Sequence, residues 1–129
     1  MTLFALKAFL MMLIPWYRAD FPTRAFPSEF SYQEYCRGSK VGEQKITPSD
    51  EVYKQLRAFM FEERHGWKYD FVDYAPRTRF VSNNMIINCL PDGIVVNYKH
   101  PDGQFVQISK DLKRSCPSLD LRRTACTDP

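Results

Sequence analysis

The sequence predicts an α+β fold in which one main helix packs on a twisted antiparallel β-sheet and disulfide bonds tie the chain together. Three observations predict it: one well-formed helical pattern over residues 48–64, several strand patterns that two Pro-Asp-Gly turns help to connect, and four cysteines in only 129 residues. A chain of this length forms a single domain, because it is too short to build a second hydrophobic core. Hydrophobic residues make up 44% of the chain and charged residues 26%, a composition typical of globular proteins.

The first residues have the pattern of a secretory signal peptide. Lys7 is an early cation, and an apolar run follows from Ala8 to Tyr17. This run is much shorter than the roughly 20 residues of a membrane-spanning helix, but its length suits the centre of a signal peptide. Cleavage is expected to remove residues 1–19, or else residues 1–25, and to leave residues 26–129 as a secreted domain without a membrane anchor. The alternative is an N-terminal helix that packs on the core.

The charge of the mature chain argues against broad binding to nucleic acid. Removal of residues 1–19 takes away Lys7 and Arg18, so the basic residues fall from 18 to 16 against 15 acidic ones, a net charge of +1. A protein that binds nucleic acid over its whole surface carries a larger excess of positive charge. Binding to RNA would therefore need a local basic patch.

Before the helical pattern, residues 20–35 contain many aromatic residues and two prolines without a clear period. We interpret them as an extended lead-in that ends in a short strand with the sequence FSYQEYC. Residues 37–46 contain two glycines and several charged residues, which is typical of a loop.

The helix is predicted over residues 48–64. Thr47 is a suitable N-cap, Pro48 suits the first helical position, and Asp50 lies three residues after the cap. One face then carries a ladder at helical spacing that is apolar except at its last position: Val52, Leu56, Phe59, Met60 and Glu63. Gly66 is expected to end the helix.

Strand patterns follow the helix. Residues 67–72 alternate between aromatic and polar side chains, and residues 77–82 follow Pro76, which suits an edge strand or the start of one. A meander is predicted from three further strands, residues 85–90, 94–99 and 104–109. In the Pro-Asp-Gly turns proline presets φ and glycine permits a positive φ. From Lys110 the chain is expected to be irregular and basic.

Four cysteines predict up to two disulfide bonds in a secreted chain, with three possible pairings: Cys36, Cys89, Cys116 and Cys126. Their spacing contains no Cys-x-x-Cys and no histidine at ligand distance, so no metal site is predicted. The chain also contains no glycine-rich nucleotide-binding loop, and we predict no cofactor.

The residues suited to acid–base chemistry are few and scattered. His65 lies at the end of the predicted helix, where capping is the expected role, and His100 lies in a turn where solvent is expected to surround it. Glu62 and Glu63 are adjacent on the helix and therefore point in different directions, unlike a glycosidase pair. No persuasive active site emerges from the sequence.

Basic residues near aromatic ones are the candidates for binding. Arg77 and Arg79 alternate on a predicted strand, so their side chains face the same way. Together with Tyr98 and Lys110 they form the predicted set of RNA- or partner-binding residues, because phosphate contact and base stacking hold single-stranded RNA. The alternative is an ordinary solvated surface.

The order of these elements resembles the small fungal guanyl-specific ribonucleases and the ribonuclease-like secreted effectors of powdery mildew fungi. The stretch YQEYCRGSK is similar to the family's opening motif, TPSDEVYKQLRAF to its helix, GIVVNYKHPDGQFVQIS to its late hairpin and TACTDP to its cysteine-bearing tail. The likeness covers roughly residues 30–126 and concerns order and pattern more than identity. It implies a microbial ribonuclease-like fold in which Cys36 bridges to a C-terminal cysteine.

The departures from this family concern its catalytic residues. Glu34 takes the place of the aromatic residue in the opening motif, and Gly93 stands where active members have an arginine. Ser109 and Lys110 replace a Thr-His pair, the early strand lacks its histidine, and no counterpart of the glutamate base is found. Cleavage of RNA by this route needs a base, an acid and a cation, so the resemblance implies an inactive pseudo-ribonuclease.

The function expected from this resemblance is that of a secreted, catalytically inactive effector of a fungal plant pathogen. It would promote virulence by binding a host protein, such as an immune receptor, or RNA, outside the fungal cell or within the host cell. The alternative is an exported bacterial periplasmic inhibitor or immunity protein that binds a partner protein. A third interpretation is an active enzyme with an unrecognised site.

Overall fold

One eight-stranded sheet and one α-helix form the fold of residues 18–70 and 73–121, the part of the chain that the computed structural model describes. The helix, α1, spans Glu51–Glu62. The strands are β1 Arg18–Ala19, β2 Phe30–Cys36, β3 Ser39–Ile46, β4 Trp67–Tyr69, β5 Thr78–Val81, β6 Met85–Leu90, β7 Gly93–Lys99 and β8 Phe105–Asp111. Their order is β1-β4-β8-β7-β6-β5-β2-β3, and all neighbours are antiparallel. The predicted α+β class is confirmed, with sheet in the larger share.

The helix is shorter than predicted at its N-terminal end. Asp50, not Thr47, is the N-cap, because the two residues form a turn of their own. The Asp50 carboxylate accepts hydrogen bonds from the Thr47 backbone N–H at 2.7 Å and from the Thr47 hydroxyl at 3.3 Å, and the Asp50 N–H donates to the Thr47 carbonyl. Pro48 therefore lies in this turn, and the helix begins at Glu51.

The apolar ladder of α1 lies in the core as predicted. Val52, Leu56, Phe59 and Met60 are buried together with Tyr53, in one cluster with apolar residues of the sheet. At the other end the helix stops at Glu62, and the Trp67 indole N–H donates to the Glu63 carbonyl at 2.6 Å. Because burial of apolar area needs no exact bonding geometry, this half of the fold depends mainly on the hydrophobic effect.

The segment 37–46, predicted as a loop, forms a hairpin with β2, so that prediction is wrong. Cys36 pairs with Ser39, and the two residues between them, Arg37 and Gly38, have positive φ angles of 53° and 82°. Two successive positive φ angles suit the twist of a tight hairpin. The sequence of β3 lacks an alternating apolar pattern because β3 is an edge strand, in which most side chains are exposed and several are charged.

The later strands lie close to their predicted bounds, but the two Pro-Asp-Gly turns differ. Gly103 has a φ of +93°, as expected, and its N–H donates to the His100 carbonyl. Gly93 is instead the first residue of β7, where a Cβ atom would stand 2.9 Å from the Lys110 carbonyl oxygen. The first glycine is therefore required for a close approach of two strands, and the prediction of a positive φ holds for the second turn alone.

Part of the inner face of the sheet is covered by residues 112–121, which we call the strap. The disulfide bond Cys89–Cys116 joins it to β6 across a sequence separation of 27. In the chain-entropy model a bond that closes such a loop contributes roughly 3.5 kcal/mol. Cys36 is also disulfide-bonded. A bridge from Cys36 to Cys116 is excluded, and the expected bridge to Cys126 lies outside the described residues.

The prediction of a signal peptide falls largely on residues 1–17, which lie outside the described residues. Immediately after them, Arg18 and Ala19 pair with β4, and Phe21 is only 3% exposed and contacts Trp67 at 5.9 Å between ring centroids. Cleavage after residue 19 would keep Phe21 in the core, whereas cleavage after residue 25 would remove it. Within the described ranges, no helix has the length and apolar character needed to span a membrane.

Candidate binding face

The sheet has an inner face toward α1 and the strap, and an opposite face that we call the open face. One row of paired residues is fully buried on the inner side: Tyr32, Phe80, Ile87, Val96 and Ile108. Because side chains alternate along a strand, the residues next to this row point to the other side. The open face is defined by these side chains: Ser31, Gln33, Tyr35, Lys40, Glu43, Lys45, Lys68, Arg79, Val81, Ile86, Asn88, Val95, Asn97, Gln107 and Ser109. Its middle is buried all the same, because Val95, Asn88 and Ser109 are only 2%, 8% and 6% exposed.

A line of hydrogen-bonded side chains crosses the open face from β5 to β8. Arg79 Nε donates to Asn88 Oδ1 at 3.1 Å, and Asn88 Nδ2 donates to Asn97 Oδ1 at 3.1 Å and to the Val95 carbonyl at 3.0 Å. Asn97 Nδ2 then donates to Gln107 Oε1 at 2.8 Å. A guanidinium group can only donate, so it fixes the orientation of the first amide and through it that of the next two.

The line continues from Arg79 toward β3. Arg79 Nη1 donates to the Tyr35 hydroxyl at 3.4 Å, and this hydroxyl donates to Gln33 Oε1 at 2.7 Å. The last group is Glu43, which accepts from Ser31 at 2.7 Å and from Lys40 at 2.8 Å. The hydrogen bond from Lys40 is the main cause that lowers the pKa of Glu43 and raises that of Lys40. These two opposite charges therefore neutralise each other at the edge of the sheet.

Arg79 differs from the other cations of the open face in its surroundings. Its guanidinium group lies 5.8 Å from the centroid of the Tyr35 ring and is half-buried. Lys40 and Lys45 pair with Glu43 and Glu29, whereas Arg79 makes no ion pair within residues 18–70 and 73–121. An oriented cation without a carboxylate can bind an anionic group of a partner.

The four predicted binding residues do not form one cluster. Arg79 lies on the open face, and Arg77 is exposed directly before β5, where its backbone bonds to Tyr35 and Cys89. Tyr98 is 9% exposed on the inner face, and burial raises its pKa. Lys110 also lies on the inner side, and it binds the Glu63 carboxylate at 2.9 Å.

Lys110 stabilises the end of the helix. Its ammonium group also lies 3.3 Å from the Glu63 carbonyl oxygen and 2.5 Å from that of His65. A cation at this position interacts favourably with the negative end of the helix dipole. The capping role expected of His65 is thus carried in large part by Lys110, while the His65 imidazole is exposed and 3.1 Å from Asp20.

The other acid–base candidates from the sequence lie away from the open face. His100 is exposed in the β7–β8 turn, 3.4 Å from Asp102. Glu62 and Glu63 at the end of α1 pair with Arg114 at 2.9 and 3.3 Å. Each of these groups therefore has a local electrostatic role in a turn or at the helix end.

The sequence interpretation missed the polar residues that shape the open face. Asn88 and Asn97 stand in otherwise apolar strands, and this interruption of two neighbouring strand patterns was the available signal. A second missed group is Asp70, whose Oδ2 accepts from the Ser109 hydroxyl at 2.8 Å and from the Tyr74 hydroxyl at 2.5 Å. The hydrogen bond to Asp70 raises the pKa of Tyr74.

A separate open groove of about 900 Å³ lies at the end of the sheet. The segment 24–31 forms one side and the β5–β6 turn, residues 81–84, forms the other, with Lys45 between them. The groove is shallow and open to solvent, and the charged pair on it is the exposed Lys45–Glu29 contact at 3.3 Å. The open face is the better candidate site because its side chains are fixed in orientation.

Among the described residues, no group of three or more His, Cys, Asp or Glu side chains could hold a metal ion. Comparisons with protein-family models, with curated proteins and with solved structures find no match to this chain. The likeness to ribonuclease-like effectors therefore rests on the motifs of the sequence.

Proposed function

We propose that this protein is a secreted, ribonuclease-like effector of a fungal plant pathogen that binds a host protein through its open face and does not cleave RNA. The observation that carries the proposal is Arg79, which Asn88 and Tyr35 hold in one orientation and which has no ion pair among the described residues. The order of helix, antiparallel sheet and late hairpin is compatible with the family that the motifs resemble.

The absence of catalysis is proposed from the chemistry that RNA cleavage requires. A base must take the proton of the 2′-hydroxyl, an acid must protonate the leaving group, and a cation must stabilise the phosphate. Arg79 supplies a cation, but its neighbours on the open face are amides and a tyrosine. The two histidines lie in separate turns, each near an aspartate.

The charge of the open face favours a protein over RNA as the target. Binding along a nucleic-acid backbone uses several cations, one for each phosphate contact. Here Glu43 neutralises Lys40 and Glu29 neutralises Lys45, which leaves two well-separated cations of this face without an ion pair among the described residues, Arg79 on β5 and Lys68 beside Ser109 on β4. Tyrosine and arginine are common among the residues that dominate the free energy of protein–protein binding. An acidic side chain of a host protein suits this arrangement.

The test is retention of a plant protein by the immobilised mature chain. Wild type, Arg79→Gln and the matched control Arg57→Gln are compared, because Arg57 stacks on Phe61 of the helix, away from the open face. We expect wild type and Arg57→Gln to retain the same protein after nuclease treatment of a leaf extract. Arg79→Gln is expected to weaken retention at least about tenfold, as loss of a charge-assisted contact does.

Several results would overturn the proposal. Retention that disappears on nuclease treatment would indicate RNA as the target, and equal retention by Arg79→Gln would exclude the open face. A partner found in a bacterial periplasmic extract and not in a leaf extract would support the inhibitor alternative. Cleavage of single-stranded RNA that is lost in His65→Ala or His100→Ala would show that the protein is an enzyme.

Secretion is tested by the intact mass of material from the culture medium before and after reduction. We expect a chain that begins after residue 19, so that Phe21 and its contact with Trp67 are kept. Reduction should add the mass of four hydrogens if two disulfide bonds are present, because each bond takes up two. Full-length material confined to the cell would contradict the proposal.

A further inference from the structure

The strap, residues 112–121, covers part of the inner face without forming helix or strand. It is joined to β6 by the Cys89–Cys116 bond. Its other described contacts with the sheet include the Leu112 N–H, which donates to the Asp92 carbonyl at 3.1 Å, and a short series of bonds to β2. A segment with irregular backbone and few bonds belongs to the least stable parts of a fold.

The bonds to β2 involve two side chains that are fully buried. The Leu119 N–H donates to the Tyr32 hydroxyl at 3.0 Å, and the Leu121 N–H donates to the Glu34 carboxylate at 2.6 Å. Tyr32 also donates to Glu34 at 2.6 Å, and both residues are 0% exposed. Glu34 is thus a buried carboxylate next to a segment that is held by the Cys89–Cys116 bond and by the contacts of Arg114 with Glu62, Glu63 and the Phe59 ring.

The two bonded cysteine residues differ in exposure. Cys89 is 4% exposed within β6, whereas Cys116 is half-buried in the irregular strap. Thiol–disulfide exchange begins with the attack of a thiolate on one sulfur atom, and access decides which one is attacked. Cys116 Sγ is therefore the point of attack for an external thiol.

We propose that the Cys89–Cys116 bond is a redox latch, whose reduction by a cellular thiol such as glutathione releases the strap and uncovers Glu34 and Tyr32. A reductant thiolate bonds to Cys116 Sγ, the S–S bond breaks, and Cys89 leaves as a thiolate that takes up a proton. A second reductant thiol attacks the mixed disulfide, and Cys116 leaves as a thiol. Two electrons and two protons pass to the protein, and the reductant becomes a disulfide.

The release follows from what holds the strap once the bond is broken. The ion pairs of the exposed Arg114 and the partly buried Leu112 and Leu119 remain, together with single hydrogen bonds. Exposed ion pairs and individual hydrogen bonds contribute modestly to stability because water replaces them, and the Glu34 carboxylate gains hydration when it is uncovered. The contacts of α1 with the sheet are apolar and do not depend on this disulfide bond. Reduction should therefore open the strap while the helix stays packed. A reducing cytosol supplies the thiol and extracellular space does not.

Hydrogen exchange of the mature protein, with and without glutathione, tests the proposal. The amides of Leu119 and Leu121 report on the strap, and those of Val96 and Ile108 in the paired strands β7 and β8 report on the core. On reduction we expect exchange at the two strap amides to accelerate by about 100-fold or more, with core protection retained. The latch would be overturned if both strap amides stayed protected in protein verified to be reduced. It would also be overturned if the two strap amides and the two core amides lost their protection together.

Variants separate this bond from the one at Cys36. In Cys89→Ala/Cys116→Ala we expect fast exchange at Leu119 and Leu121 without any thiol, and no further change when glutathione is added. Should this variant fail to fold, Glu34→Gln provides the second measurement, with Glu43→Gln on exposed β3 as its control. Because the neutral amide gains less from hydration, Glu34→Gln should reduce the acceleration on reduction at least about threefold. An unchanged acceleration would contradict the role of Glu34.

Discussion

Two covers close the inner face of the same sheet, and they do so by different means. Helix α1 buries five apolar side chains and joins one hydrophobic cluster with the strands. The strap contributes Leu112, Cys116 and Leu119 as partly buried contacts, and it adds a disulfide bond and hydrogen bonds to Glu34 and Tyr32. A segment too short and irregular to bury much apolar area therefore depends on a covalent bond and on a few polar contacts of defined geometry.

The largest expected effect comes from a substitution in the part of the core that helix α1 covers. Leu56 is fully buried in α1, so Leu56→Ala should lower the free energy of unfolding by about 3 kcal/mol through lost apolar contact and the cavity left behind. Chemical denaturation of oxidised protein measures it, with the exposed Gln55→Ala as the control that changes stability little. A loss below about 1 kcal/mol would show that the helix is a minor part of the core.

The next effect is a loss of stability at alkaline pH that originates beneath the strap, at Tyr32. Burial, together with the hydrogen bond to Glu34, raises the pKa of Tyr32 from 10.0 to about 12. Below pH 10 the Tyr32 hydroxyl is protonated in both the folded and the unfolded chain. Between pH 10 and 12 the unfolded chain loses this proton, whereas the folded chain keeps it. Stability should therefore fall as pH rises through this range, by roughly 2–3 kcal/mol from this group.

Denaturation midpoints at pH 9, 10 and 11 follow the first half of this loss, and Tyr32→Phe is the matched variant. Tyr53, Tyr74 and Tyr98 also have raised pKa values, so the variant should keep part of the dependence on pH. Its slope against pH should nevertheless be shallower than that of wild type. Equal slopes for the two proteins would mean that the pKa of Tyr32 is the same in the folded and the unfolded chain.

A smaller effect is expected at Gly93, where two strands meet. A Cβ atom would stand 2.9 Å from the Lys110 carbonyl oxygen, and this backbone group is held in the β7–β8 ladder. Gly93→Ala should therefore destabilise the protein by about 2 kcal/mol, because moving two paired strands apart in the middle of the sheet strains their hydrogen bonds. Thermal unfolding of both proteins provides the measurement, and an unchanged midpoint would show that the ladder can adjust.

Gly42→Ala should have the smallest effect, although the added Cβ would stand equally close to its neighbour. That neighbour is Leu121 Cβ, also 2.9 Å away, and it belongs to the strap. Because the strap can shift, we expect a change of less than about 1 kcal/mol, offset in part by the lower entropy of the unfolded alanine chain. A loss as large as that of Gly93→Ala would show that the strap is as rigid as the sheet.

The helix and the meander could be predicted because their signals are local. Strands β6, β7 and β8 alternate or run apolar between turn residues, and the buried positions of α1 recur at helical spacing. Strand β3 was not predicted because an edge strand needs no apolar pattern. Its turn at Arg37 and Gly38 depends on positive φ angles, which a glycine permits but whose presence it does not predict.

The residues of the candidate site were predictable only in part, because long-range contacts decide their roles. Arg79 follows the alternation of its strand and lies on the open face. Lys110 also follows the alternation of its strand, but it lies on the inner side. Alternation alone does not tell which side carries the helix, and Glu63 lies 47 positions away. Glu34 follows Phe30 and Tyr32 at every second position, so its inward direction was visible. Its burial depends on a strap residue 87 positions later.

The order of the strands has a practical consequence for labelling. Without residues 1–19, β4 with Lys68 forms one edge of the sheet, whereas Leu121 lies against Gly42 of β3 at the other edge. Six spacings between strands separate these edges, a width of about 30 Å along the sheet. A dye pair attached near the two positions would thus report on the lateral width of the molecule by energy transfer.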